Sequence, residues 1–114
     1  MSLPKIAVAL AVLALAASSA AAQDAKLVTK GEQVYTANKC SLCHSIGDTG
    51  NKKGPLDGVG SKLSADQVRE WLLHPADMTA KTKGTRKPAM KSYEKLPKDD
   101  VDALVAYMMS LKKK

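Results

Sequence analysis

The pentapeptide Cys40-Ser41-Leu42-Cys43-His44 constrains this chain more than any other feature, because it puts two thiols and an imidazole on one turn. C-x-x-C-H is the attachment signature of a c-type haem. Thiols three positions apart can each add to one of the two porphyrin vinyl groups, and the histidine that follows is carried under the iron as an axial ligand. Both cysteines and one of the two histidines of the chain fall in this segment. Other uses of these residues compete. A redox dithiol wants a βαβ setting, and no strand pattern surrounds the motif. A zinc site usually needs four protein ligands, and only Cys40, Cys43, His44 and the remote His74 are on hand. A Cys40–Cys43 disulfide would close a very small loop and add little. Haem attachment is the favoured reading, with one covalent haem c per chain.

The amino terminus agrees with it. Lys5 gives a positive start, Ile6 to Ala17 is an apolar run of 12 residues, and Ala20-Ala21-Ala22 supplies an A-x-A-like cleavage site before Gln23. The run is too short and too rich in alanine for a membrane span, which needs about 20 strongly apolar residues. No cysteine follows the cleavage site to take a lipid, so no stable membrane anchor is expected. Residues 1–22 are therefore expected to be a cleaved export signal and residues 23–114 one small domain. The expected location is the periplasm, since bacteria attach haem covalently on the outer side of the cytoplasmic membrane. Removal of the leader takes away only Lys5, leaving 17 basic against 11 acidic side chains, a formal +6. With no Phe, one Trp and three Tyr, the side chains offer a thin aromatic core. A chain so small commonly needs a cofactor or metal as a staple.

The apolar spacing is helical. A first helix over about 27–39 carries Leu27, Val34 and Tyr35, with Gly31 on the face of Tyr35. Five of the seven glycines lie within residues 47–60, which therefore read as loop. Ser64 with Gln67 forms a capping box for a second helix through Val68, Trp71 and Leu72, which Pro75 is expected to stop. Residues 75–97 read as a structured loop. A final helix sets Val101, Leu104, Val105, Met108 and Leu111 in one stripe, with acidic residues at its start and Lys112 to Lys114 at its end, matching the helix dipole. No alternating strand pattern appears, and the fold class is all-α.

In this order, the Gly31/Tyr35 helix, C-x-x-C-H, the Lys53-Gly54-Pro55-Leu56 loop, the Trp71 helix, Pro88-Ala89-Met90 and the Leu104/Tyr107 helix resemble a monohaem class I cytochrome c from about Leu27 to Lys112. The resemblance implies three or more helices wrapped around one covalently bound haem. It also implies that the first and last helices cross where Gly31 meets Tyr107. Pro55 matches the proline whose carbonyl accepts a hydrogen bond from the proximal imidazole. Met90 matches the methionine of the Pro-x-Met ligand loop.

For the second axial position the residues alone leave several candidates. Met108 and Met109 lie on the last helix, where methionine usually fills the core. Met78 and Met90 fall in the expected loop. His74 ends a helix before a proline and reads as a solvated or capping residue, with bis-histidine ligation a minor alternative. The Trp71 indole could bond a haem propionate or simply pack. Ligation by His44 and Met90 would fill both axial sites and suit outer-sphere electron transfer. Nothing points to catalysis: there is no Ser/His/Asp arrangement, no paired carboxylate in a likely pocket, and no phosphate-cradling Gly-Lys-Ser/Thr. The expected function is a periplasmic one-electron carrier, monomeric and not an enzyme. The alternatives are a haem subunit of a periplasmic oxidoreductase and a five-coordinate gas-binding protein. Lys81, Lys83, Arg86, Lys87, Lys91 and Lys95 would steer an acidic patch of a redox partner toward the haem edge, unless they are merely solvated. Nucleic-acid binding is not expected of an exported haem protein.

Overall fold

The computed structural model describes residues 24–113; the expected export signal lies outside them. Helix α1 covers 24–37 and ends earlier than expected. Its end is set by Asn38, whose side chain donates to the Val34 carbonyl at 2.8 Å, and by Lys39, which turns left-handed at φ 55°. The C-x-x-C-H segment follows as a 3₁₀ turn, Cys40–Leu42. A two-stranded antiparallel ribbon comes next, β1 (Ser45–Ile46) and β2 (Thr49–Gly50). It is too short to carry an alternating pattern, which is why the sequence showed no strand.

Helix α2 is a single turn, Val59–Lys62. Helix α3, Ala65–Leu73, opens on the expected capping box: the Ser64 hydroxyl accepts from the Gln67 amide and the Gln67 side chain accepts from the Ser64 amide. Pro75 does end α3, but it also opens a further helix, α4 (Pro75–Thr82). Residues 75–82 are therefore not loop. Proline lacks an amide hydrogen that the first turn of a helix does not use, and its fixed φ suits that position. Helix α5, Lys98–Ser110, begins with Asp99 and Asp100 in its first turn.

The core lies where α1 and α5 cross and α3 packs on α5. Val34, Tyr35, Val68, Leu72, Val101, Ala103, Leu104, Val105 and Met108 are buried there. Gly31 makes the crossing possible: a Cβ at that position would run into the Ala103 carbonyl oxygen and come within 2.6 Å of the Tyr107 Cβ. Tyr35 meets Tyr107 edge to face with ring centroids 5.7 Å apart. The fold is all-α as expected, apart from the short ribbon.

Candidate functional site

The crossing delivers the end of α1 to one side of the core, and the left-handed Lys39 turns the chain into the motif. Amides of Cys43 and His44 both donate to the Cys40 carbonyl, at 3.1 and 2.9 Å. This closes the turn and sets both thiols on one short segment. Both cysteines are free and half-buried. Burial pushes the Cys40 thiol up, and the neighbouring Tyr93 hydroxyl and Lys91 charge offset part of that rise. Tyr93 itself is pushed up to about 12, by burial first and then by Cys40.

His44 Nδ1 lies 3.0 Å from the Gly54 carbonyl oxygen. A carbonyl can only accept, so Nδ1 carries the proton and Nε2 keeps its lone pair for a metal. The acceptor is Gly54, not Pro55 as the resemblance implied. A bridge between Ser45 and Pro55 explains the difference. The Ser45 amide donates to Gly54 O at 3.1 Å and the Leu56 amide to Ser45 O at 2.8 Å. That pairing turns the Gly54 carbonyl toward residues 44–45. Burial holds the His44 pKa below its usual value, and the nearby Arg86 charge acts in the same direction against the Gly54 hydrogen bond.

Asn51 is the organiser that sequence reasoning missed. Its amide lies 3.1 Å from Ser41 O and 2.9 Å from His44 O, and its side-chain Nδ2 donates to Leu42 O at 3.1 Å. Three carbonyls of the motif are thus tied to one residue. Its Oδ1 also accepts from the Lys53 amide at 3.0 Å, a turn that asparagine favours. The available signal was an asparagine inside the glycine-rich stretch. Gly50, at φ 102°, lets the ribbon pass against the motif, for a Cβ there would strike the His44 carbonyl.

The remaining candidates divide. Met90 is half-buried and packs against the core cluster. It lines a cleft of about 240 Å³ with Leu73, His74, Pro75 and Ser92. The segment after it is pinned to the end of α3, the Tyr93 amide donating to Leu72 O at 2.8 Å and the Ser92 hydroxyl to Leu73 O at 2.8 Å. Met78 lies on α4, not in a loop, and Met108 and Met109 lie on α5. His74 joins α3 to α4 and sets Nδ1 3.0 Å from Glu94 Oε1. Trp71 is half-buried on α3 and stands outside the core cluster. Among the described residues no group of three His, Cys, Asp or Glu gathers, so the four donors considered for zinc do not come together.

The donor set fits a haem: two thiols on one turn, followed by an imidazole whose free nitrogen is oriented by a backbone bond. The buried Tyr35 hydroxyl, without a partner among the described residues, marks where a further polar neighbour can join. A family model described as Cytochrome c matches residues 28–112. The chain is also similar to a protein named cytochrome c oxidase subunit 2 from Alkalihalophilus pseudofirmus, 30% identical over 95 residues. The match covers 75% of this chain and 26% of that protein, so the chain spans about a quarter of its relative's length. No solved structure matches the chain.

Proposed function

Because the chain belongs to the cytochrome c family, whose members carry covalently attached haem c, we propose that it is an exported, periplasmic one-electron carrier. In this reading Cys40 and Cys43 form the thioethers, and His44 and Met90 are the axial ligands. The observation that carries it is the hydrogen bond from His44 Nδ1 to Gly54 O, which fixes the tautomer and presents Nε2 for ligation. When bound, the haem supplies a reversible one-electron couple.

The chain's own residues do the rest. The Gly54 carbonyl raises the basicity of the imidazole by accepting the hydrogen bond that Nδ1–H donates. Met90 is the methionine not held in a helix among the described residues, and a thioether ligand raises the potential. With His44 and Met90 both as ligands, the site would suit one-electron exchange and not substrate binding. Leu42, between the two cysteines, is 70% exposed, so the attachment turn is open to a partner protein. The basic residues from Lys81 to Lys95 are exposed and would steer an acidic partner. The half-buried Trp71 indole is available to a propionate.

A second reading has one observation in its favour. The relative from Alkalihalophilus pseudofirmus is an oxidase subunit of which this chain spans 26%, so the same domain could serve as a haem subunit of an oxidoreductase. Among the described residues no helix is long and apolar enough to cross a membrane. Co-purification with an enzyme, together with reduction kinetics insensitive to salt, would decide for the subunit.

The test of the site is acid–acetone extraction, optical spectra and redox titration of the purified protein and four variants. Haem should stay with the protein, and Cys40→Ala or Cys43→Ala should leave at most one thioether. Met90→Ala should remove the weak iron–thioether charge-transfer band of the oxidised form, lower the potential and admit carbon monoxide to the reduced form. Met78→Ala serves as the control. If Met78→Ala shows those losses and Met90→Ala does not, the ligand assignment is wrong.

A further inference from the structure

Gly54 is glycine for want of space, because its φ lies outside the left-handed region. A Cβ there would run into Arg86 Nη1 and the Cys43 carbonyl oxygen, and would come within 2.8 Å of Arg86 Cζ. The Arg86 guanidinium therefore rests on the residue whose carbonyl orients His44. Arg86 stands on the segment that carries Met90 four residues later. This contact spans two loops that share no secondary structure.

We propose that Arg86 is a positioning residue that docks on Gly54, clamps the Met90-bearing segment to the loop holding His44, and fixes a positive charge beside the proximal imidazole that favours the reduced state. The inference rests on haem ligation by His44. Its physical basis is simple. Oxidation adds one positive charge at the iron, and a guanidinium held nearby opposes that charge. Arg86 is exposed, so solvent weakens the interaction. Arginine suits the role because its flat fork can lie on a backbone carrying no side chain.

The test uses the holoprotein and its midpoint potential at fixed pH. Arg86→Gln should shift the reduced-to-oxidised equilibrium about three- to tenfold toward the oxidised form, a fall of about 30–60 mV at 59 mV per tenfold. Arg86→Lys should recover at least half of that fall, because the charge returns without the fork. High salt should shrink the difference between wild type and Arg86→Gln. A wild-type potential in Arg86→Gln, or Arg86→Lys indistinguishable from Arg86→Gln, overturns the inference. Failure of the haem reading itself would be visible earlier, as wild-type protein without covalently retained pigment.

Discussion

At the crossing of α1, α3 and α5 the chain is held by apolar contact, with Leu104 and Ala103 essentially sealed from solvent. Residues 39–58 are held differently. No residue of the Cys40–Leu42 turn is buried and both residues of β2 are exposed. Their shape comes from backbone hydrogen bonds that converge on Asn51, Ser45 and Gly54. The core is a collective of small contributions, each adjustable by its neighbours. The site depends on a few directional bonds with no substitute. Lesions in the core should therefore cost stability without moving the motif, while lesions in the loop should move the motif at modest cost in stability.

The strongest challenge to this contrast removes the haem. The Cys40→Ala/Cys43→Ala double variant should lose more than about 4 kcal/mol, the scale on which a tightly bound cofactor stabilises a fold. Hydrogen exchange should show residues 39–58 losing protection first. A cooperative melt like that of the holoprotein would mean that the side-chain core suffices for both regions.

Next in size is Gly31→Val, which forces a branched side chain against the Ala103 carbonyl. The loss should reach or exceed about 3 kcal/mol, the upper end for overpacking, because backbone cannot yield as a side chain can. Denaturant unfolding would measure it. The spectrum of the molecules still folded should keep the wild-type ligation.

Asn51→Ala tests the other region. Losing the exposed bond to Leu42 O should cost about 0.5–1.5 kcal/mol, the net worth of a typical hydrogen bond. The axial-ligand spectrum and the exchange rates of the Cys43 and His44 amides should change as well. An unchanged spectrum would show that the motif holds its shape without this clamp.

The smallest effect belongs to the surface tie between α3 and α5. Arg69 Nη1 lies 2.7 Å from Asp102 Oδ1, and Lys98 Nζ 3.1 Å from Oδ2. Arg69 first, then Lys98, holds the Asp102 carboxyl below its ordinary 3.8. A lowered folded value means that the carboxylate contributes stability above pH 3.8, and that this is lost as the pH falls through the lowered value. Asp102→Asn should cost about 0.3–1 kcal/mol at neutral pH, as exposed ion pairs do. The two proteins should converge in acid, and a difference that persists there would point to packing instead of charge.

What could be read from the chain was local or periodic. The C-x-x-C-H spacing, the Ser64/Gln67 box, the acidic start of α5 and its apolar stripe each involve residues a few positions apart, so the sequence displays them directly. Helix α4 has a local signal as well, but a proline that ends one helix and a proline that opens the next look alike in the sequence, and Pro75 does both. The meeting of Gly31 with α5 was implied by family likeness, since no residue near Gly31 in the chain names its partner.

Tertiary structure alone decided which carbonyl orients His44, which residue ties the motif, and what lies over Gly54. Backbone carbonyls are chemically alike, so no sequence marks Gly54 O over Pro55 O; the bridge to Ser45 selects it. Asn51 and Arg86 act across loops whose relative placement follows from where the packed helices release the chain. The sequence determined that two thiols, an imidazole and a loop methionine exist at suitable spacings. The fold determined how the imidazole is held, because that depends on directional bonds between segments the chain keeps apart.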